Sequence, residues 1–168
     1  MSTDVFLLDT NVFVEAHRRY YGLDLCPGFW ECLTHFNGMA RVVSLDRVRD
    51  EIHEGDALAE WIKGAPVDLF ASSADEAVVD KYAEMITWVN GADFTDAAKA
   101  DFASAADGWL AAYAKVRSMV LVTHEEYTPG AKKVVKLPNV CREFDVRYAD
   151  TFDMLREFEV KFNWALSS

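Results

Sequence analysis

A chain of 168 residues, 51% of them hydrophobic, is long enough to bury a full core within one compact domain, taken here as residues 1–168. Its formal charge of −11, from 28 acidic against 17 basic residues, argues against a surface built for general nucleic-acid binding. No apolar run approaches the roughly 20 residues that cross a bilayer, and no basic segment leads into an apolar stretch at the start, so no membrane association and a cytoplasmic location are expected. Cys26, Cys32 and Cys141 are an odd set without CxxC spacing, which suits buried thiols better than disulfides or, with His35, a metal knuckle.

The first element is an apolar strand, residues 5–8, that runs into Asp9 where a helix over 10–21 begins. Pro27 opens a second helix that ends near Asn37 and Gly38, and 41–45 is a second strand. Ser44 or Asp46 caps a helix over 47–53 that Gly55 ends, and an amphipathic segment over 57–63 follows. A short β-like run at 67–71 precedes a capping box, Ser73 with Glu76, and a long helix to about Asn90. The Ala-rich stretch 94–117 reads as one helix bent near Gly108, leading into a strand at 119–123. Residues 127–135 read as a loop or hairpin turning at Thr128-Pro129-Gly130. Pro138 starts a short helix, and 151–165 forms the last, with Phe152, Leu155, Phe158 and Phe162 at core spacing. Strands separated by helices imply parallel pairing, hence an α/β fold.

Four acids stand where such a fold could gather them: Asp9 after the first strand, Glu51 on the helix after the second, Asp107 among Ala105, Ala106, Trp109 and Leu110, and Glu125 after the strand at 119–123. Each alone has an ordinary explanation, Asp9 as a helix cap for instance. Together they would repel unless a hard cation made them a binding site. Asp46, Asp50 and Glu54 flank Glu51 closely enough to compete for its role. Against the acidic trend, 132–147 carries Lys132, Lys133, Lys136, Arg142 and Arg147 beside only Glu143 and Asp145, although a solvated loop is the simpler account of that stretch. Trp30, Trp61 and Trp88 read as core residues.

The run D-T-N at Asp9 to Asn11, E-I at Glu51, A-D-x-W-L-A-A-x-A from Ala106 and V-T-H-E from Val122 to Glu125 resembles the PIN-domain nucleases, a fold of many bacterial toxin ribonucleases. More narrowly, C-P-G-F-W at Cys26 to Trp30, G-D-x-L-A-x-W from Gly55, T-H-E at Thr123 to Glu125 and P-N-V-C at Pro138 to Cys141 are similar to a PIN-like family known mainly as a domain of unknown function. The resemblance implies a three-layer α/β/α sandwich around a mainly parallel sheet, with Asp9, Glu51, Asp107 and Glu125 as catalytic carboxylates holding Mg²⁺ or Mn²⁺. It places Thr10, Asn11, Thr123 and His124 around them as supporting polar groups. Glu125 stands where such nucleases more often carry Asp. A divalent-metal-dependent endoribonuclease is implied, with Lys132, Lys133, Lys136 and Arg142 as candidates for the RNA backbone, a protein antitoxin as partner, and a homodimer as a common assembly. The alternatives are a PIN-like binding or scaffold protein with a silent site and, less favoured because Asn11 replaces a second Asp, a metal-dependent phosphatase.

Overall fold

Strand β1 (Phe6–Leu8) consists of three buried apolar residues, the pattern of a strand covered on both faces. In this computed structural model, which describes residues 2–53 and 56–166, β1 is the centre of a five-stranded sheet of order β3-β2-β1-β4-β5 in which every pairing is parallel. The other strands are β2 (Val42–Leu45), β3 (Phe70–Ala71), β4 (Val120–Val122) and β5 (Tyr148–Ala149).

Between β1 and β2 lie α1 (Thr10–Glu15), which runs on as a π-helical turn Ala16–Tyr20, and α2 (Pro27–Gly38). Helices α3 (Asp46–Glu51) and α4 (Ala57–Gly64) lead to β3, and α5 (Glu76–Gly91), α6 (Asp96–Ser104) and α7 (Asp107–Arg117) lead to β4. After β4 come α8 (Leu137–Glu143), β5 and α9 (Thr151–Glu157). The chain builds outward from β1 through β2 to β3, then returns to place β4 on the other side of β1. With right-handed crossovers this reversal puts the two sets of helices on opposite faces, giving an α/β/α sandwich. Phe13, Trp30, Trp61 and Phe70 knit α1, α2, α4 and β3 together, while the stacked rings of Tyr82 and Trp109, 3.8 Å apart, join α5 to α7.

Several local expectations are corrected. The stretch 94–117 is two helices, broken at Ala105, whose ψ of 167° is extended, and not at Gly108. The N–H of Ala106 is taken by the Glu51 carboxylate at 2.6 Å, so it no longer extends α6. Gly108 serves close packing instead: a Cβ there would fall 2.8 Å from Tyr82 Cε2 and 3.1 Å from Phe102 Cε1.

The last helix stops at Glu157, not at 165, in a Schellman turn: Glu159 is left-handed at φ 57°, its N–H donates to the Arg156 carbonyl, and that of Val160 to Leu155. Phe158 and Phe162 still pack, the first stacked on Phe36 at 3.9 Å and the second 5.3 Å from the Tyr21 ring, but from a non-helical tail. Asp75, not Ser73, caps α5, because Ser73 is buried and donates to Asp46 at 2.9 Å. Neither Ser44 nor Asp46 caps α3: the Ser44 hydroxyl donates to the Leu8 carbonyl at 2.7 Å. Gly55, expected to end that helix, lies outside the described residues. Strand β5, two residues long, has no periodicity to announce it, and residues 127–135 form a loop without strands. Cys141 is buried, Cys26 and Cys32 are half-buried, and all three are free thiols.

Gly108→Ala should cost about 1–3 kcal/mol, because the Tyr82 ring it meets is held against Trp109 and cannot swing away. Thermal denaturation should record a fall of about 2–4 °C per kcal/mol, as expected for a chain of this size.

Candidate metal centre

The strand order reverses between β1 and β4, and open parallel sheets hold their ligands at the carboxyl end of such a switch point. The pairing of Leu8 with Val122 sets Asp9 beside Thr123 at that edge, and the Asp9 N–H closes the ladder onto the Val122 carbonyl at 3.0 Å. Asp9 is the N-cap of α1: its Oδ1 accepts the Thr10 N–H at 2.6 Å, and its Oδ2 accepts the Thr123 hydroxyl at 2.9 Å. With only 4% of its surface exposed, it is a buried carboxylate held by two donors.

The other polar residues around Asp9 have defined tasks. Asn11 Nδ2 donates to Thr123 Oγ1 at 3.3 Å and Asn11 Oδ1 accepts the His124 N–H at 3.1 Å, so Asn11 ties α1 to the turn after β4 and orients Thr123 toward Asp9. Thr123 Oγ1 also accepts the Glu125 N–H at 3.1 Å. The His124 ring bonds the Thr151 hydroxyl through Nε2 at 2.8 Å and lies between Tyr20 and Phe152. Burial lowers its pKa, opposed by the charges of Asp150 and Glu15.

Glu51 arrives from the end of α3, its Oε2 accepting the Thr10 hydroxyl at 2.5 Å and its Oε1 the Ala106 N–H at 2.6 Å. It thereby fixes the turn that starts α7, whose first residue is Asp107. Glu125 Oε2 accepts the Leu137 N–H at 2.7 Å, holding the start of α8. Of the competitors for the role of Glu51, Asp46 is engaged with Ser73 and Asp50 lies outward beside Arg49, while Glu54 lies outside the described residues.

The four acids feel one another. Burial first, then the charges of Asp9, Glu125 and Glu51, raise the Asp107 pKa to about 8. Burial first, opposed by the Thr123 hydrogen bond, and then Glu125 and Glu51 raise that of Asp9 to about 7. The Cys141 thiol, buried at the same place, is raised to about 12, first by burial and then by the charges of Asp9, Glu125 and Asp107. Among the described residues, no group of three or more His, Cys, Asp or Glu side chains is already drawn into coordination distance. That does not disqualify the donor set. Mg²⁺ commonly binds through one or two carboxylates and keeps its remaining waters, and each oxygen of Asp9 and Glu51 that accepts one hydrogen bond retains a second lone pair. An all-oxygen set in which burial and neighbouring carboxylates raise Asp9 and Asp107 therefore fits a hard divalent cation.

A cleft of about 990 Å³ opens beside these residues, lined by Asn11, Thr123, His124 and Glu125 and walled by Arg19, Tyr20, Lys136, Arg142 and Phe152. Of the basic candidates, Lys136 and Arg142 border it, whereas Lys132 pairs with Asp93 and lines a neighbouring cleft, and Lys133 is exposed on the loop. Tyr20 opens the motif Y-Y-x-x-D-x-C-P-G-F-W and Phe152 stands at core spacing, but that the two meet beside Arg19 on the wall of this cleft was not legible in the sequence.

Residues 6–162 match the family described as a domain of unknown function, DUF4411. The chain belongs to that family. No curated protein matches this DUF4411 chain. Among solved structures, it is similar to FitAcB from Neisseria gonorrhoeae at 17% identity, covering 86% of this chain and 96% of that one with a TM-score of 0.47. It is also similar to FitAB bound to an IR36 DNA fragment, at 20% identity, covering 87% and 94%, with a TM-score of 0.50. The second likeness supports the PIN-like fold of this DUF4411 member. No helix among the described residues is long and apolar enough to cross a membrane.

Because Asp9 and Asp107 hold their protons more tightly in the folded than in the unfolded chain, the cation-free protein binds more protons folded than unfolded between about pH 4 and pH 8. Its stability should therefore fall as pH rises through that window. Asp107→Asn removes the titration of that buried acid, so in EDTA the variant should lose less stability from about pH 5 to pH 8 and melt several degrees above wild type at the upper end. Parallel melting curves for the two proteins would contradict the raised pKa of Asp107.

Proposed function

We propose that this chain, acting as a single PIN-like domain over residues 1–168, is a cytoplasmic, divalent-metal-dependent endoribonuclease and the toxin of a toxin–antitoxin pair. The observation that carries the reading is the carboxylate cluster itself: Asp9, Glu51, Asp107 and Glu125 come from four separate elements to one edge of the sheet, where burial and the neighbouring charges raise the proton affinity of Asp9 and Asp107. Such a charge-repelling cluster works against the stability of the fold, and strongly perturbed carboxylates of this kind concentrate at functional sites. The RNA substrate, the antitoxin and a homodimeric assembly rest on the resemblance of the acid motifs to PIN-domain toxins.

Asp9, Asp107 and, with them, Glu51 and Glu125 would hold Mg²⁺ or Mn²⁺. When bound, such an ion acidifies water toward neutral pH and offsets charge on a phosphodiester. The chain supplies the rest. Thr123 and the Thr10 N–H fix the Asp9 carboxylate, and Asn11 keeps Thr123 in the acceptor and donor roles this requires. Glu51 locks the turn from which Asp107 projects, so the position of one acid depends on another. Lys136 and Arg142, on the cleft wall, would bind phosphates on either side of the one attacked. His124, bonded to Thr151 and set between Tyr20 and Phe152, holds the turn after β4.

Titration with Mn²⁺ should give binding in wild type that weakens at least tenfold in Asp107→Asn, with RNA cleavage falling by two orders of magnitude or more in the same buffer. Metal binding without cleavage of any RNA would favour a silent, scaffold-type protein, and no binding would overturn the site. Replacing Lys136 and Arg142 with Ala should lower the salt dependence of RNA binding by up to about two phosphate contacts. A slope equal to that of wild type would remove both from the substrate path.

A further inference from the structure

A second cleft, of about 430 Å³, adjoins the first, and two residues line both: Tyr127 and Arg142. The Arg142 guanidinium lies 3.7 Å over the Tyr127 ring and donates through Nε to the Tyr148 hydroxyl at 3.2 Å, so the two form a fixed divide between the spaces. The loop that carries Tyr127 is fastened as well. Asn139 accepts the Thr128 N–H at 3.0 Å and donates to the Thr128 carbonyl at 2.8 Å, while Glu125 holds the Leu137 N–H. Within the P-N-V-C motif, Asn139 thus secures a wall of this second space, while Cys141 lies buried against the acids. Beyond the divide the lining includes Trp88 and Phe94, half-buried rings with centroids 6.0 Å apart, together with Asn139 and Lys132.

We propose that the second cleft is a nucleobase subsite for single-stranded RNA continuing from the carboxylates across the Arg142–Tyr127 divide. The inference rests on the nuclease reading above and names the form of substrate that the site takes. Aromatic faces stack on bases free of pairing, and the rings available are Tyr127, 37% exposed in the divide with one face under Arg142, and Trp88, half-buried in the cleft beyond it. Arg142 stands at the crossing, where a phosphate between two splayed nucleotides meets a guanidinium already oriented by a ring and a phenol. The net charge of −11 leaves no broad basic face for a duplex backbone, so stacking must supply what charge does not.

The test measures fluorescence anisotropy of labelled oligoribonucleotides, of roughly 3 and roughly 12 nucleotides, with Mg²⁺ present. The protein carries Asp107→Asn so that RNA is not consumed. The longer strand should bind at least tenfold more tightly than the shorter. Adding Trp88→Leu should weaken the longer strand by about tenfold and leave the shorter unchanged, whereas Tyr127→Ala, which also removes the ring under Arg142 in the first cleft, should weaken both, the longer strand more. Tyr127, on the loop surface, keeps the test valid if the Trp88 variant does not fold. Unchanged binding of the longer strand in the Tyr127 variant overturns the subsite, as does equal affinity for a duplex or tighter binding of single-stranded DNA. Cleavage of long RNA by the wild-type chain is followed alongside. If it persists while the variants bind like their parent, only the subsite fails; if wild type neither binds Mn²⁺ nor cleaves, the nuclease reading fails first.

Discussion

The parallel pairing of β1 with β4 is the constraint on which the site depends. Its register sets Leu8 against Val122, and the next residue of each strand, Asp9 and Thr123, becomes a hydrogen-bonded pair at the switch point. From this pair the rest propagates: Thr123 is shared by Asn11 and the Glu125 N–H, Asn11 reaches the His124 backbone, and the Thr10 hydroxyl reaches Glu51. A slip of one residue in that ladder would turn Asp9 away from Thr123 and expose it to the opposite face of the sheet.

The helix break between α6 and α7 shows how the fold and the site were settled together. An Ala-rich stretch gains most by remaining one helix, and it gives up that continuity where the Ala106 N–H finds a carboxylate from the opposite half of the sheet. The exchange brings Asp107 to the first position of a new helix beside three other acids. Local propensity loses to a charged hydrogen bond, which is roughly twice as strong as a neutral one.

Burial is what gives the cluster its chemistry. Exposed, four carboxylates would stay ionised and screened; at the covered edge of the sheet, with Cys141 and the β4 strand beneath them, desolvation and repulsion raise Asp9 and Asp107 toward neutrality. Asp9, Glu51 and Glu125 accept hydrogen bonds that also shape the structure: Asp9 caps α1, Glu51 starts α7, Glu125 starts α8. The acids therefore organise the elements that carry them, so changing one disturbs more than a ligand count.

The sequence by itself determined the alternation of strands and helices, the acid at the end of β1, and the family to which the motifs belong, because each is written in local order: an apolar run, a cap, a spacing. It could name Asp9, Glu51, Asp107 and Glu125 through resemblance, but not why Glu51 prevails over Asp46 or Asp50, which depends on where α3 lies relative to Ala106 and Thr10. The end of α9 was hidden for a related reason. Ser118, Asp145 and Glu159 take left-handed conformations at helix ends where local rules look for glycine, whereas the end of α2, just before left-handed Ala40, was marked by Asn37 and Gly38. Strand β5, the cleft wall of Arg19, Tyr20 and Phe152, and the Arg142–Tyr127 divide were likewise decided only by tertiary structure. They join residues far apart in the chain, and a pattern read along one dimension holds no term for a contact made across three.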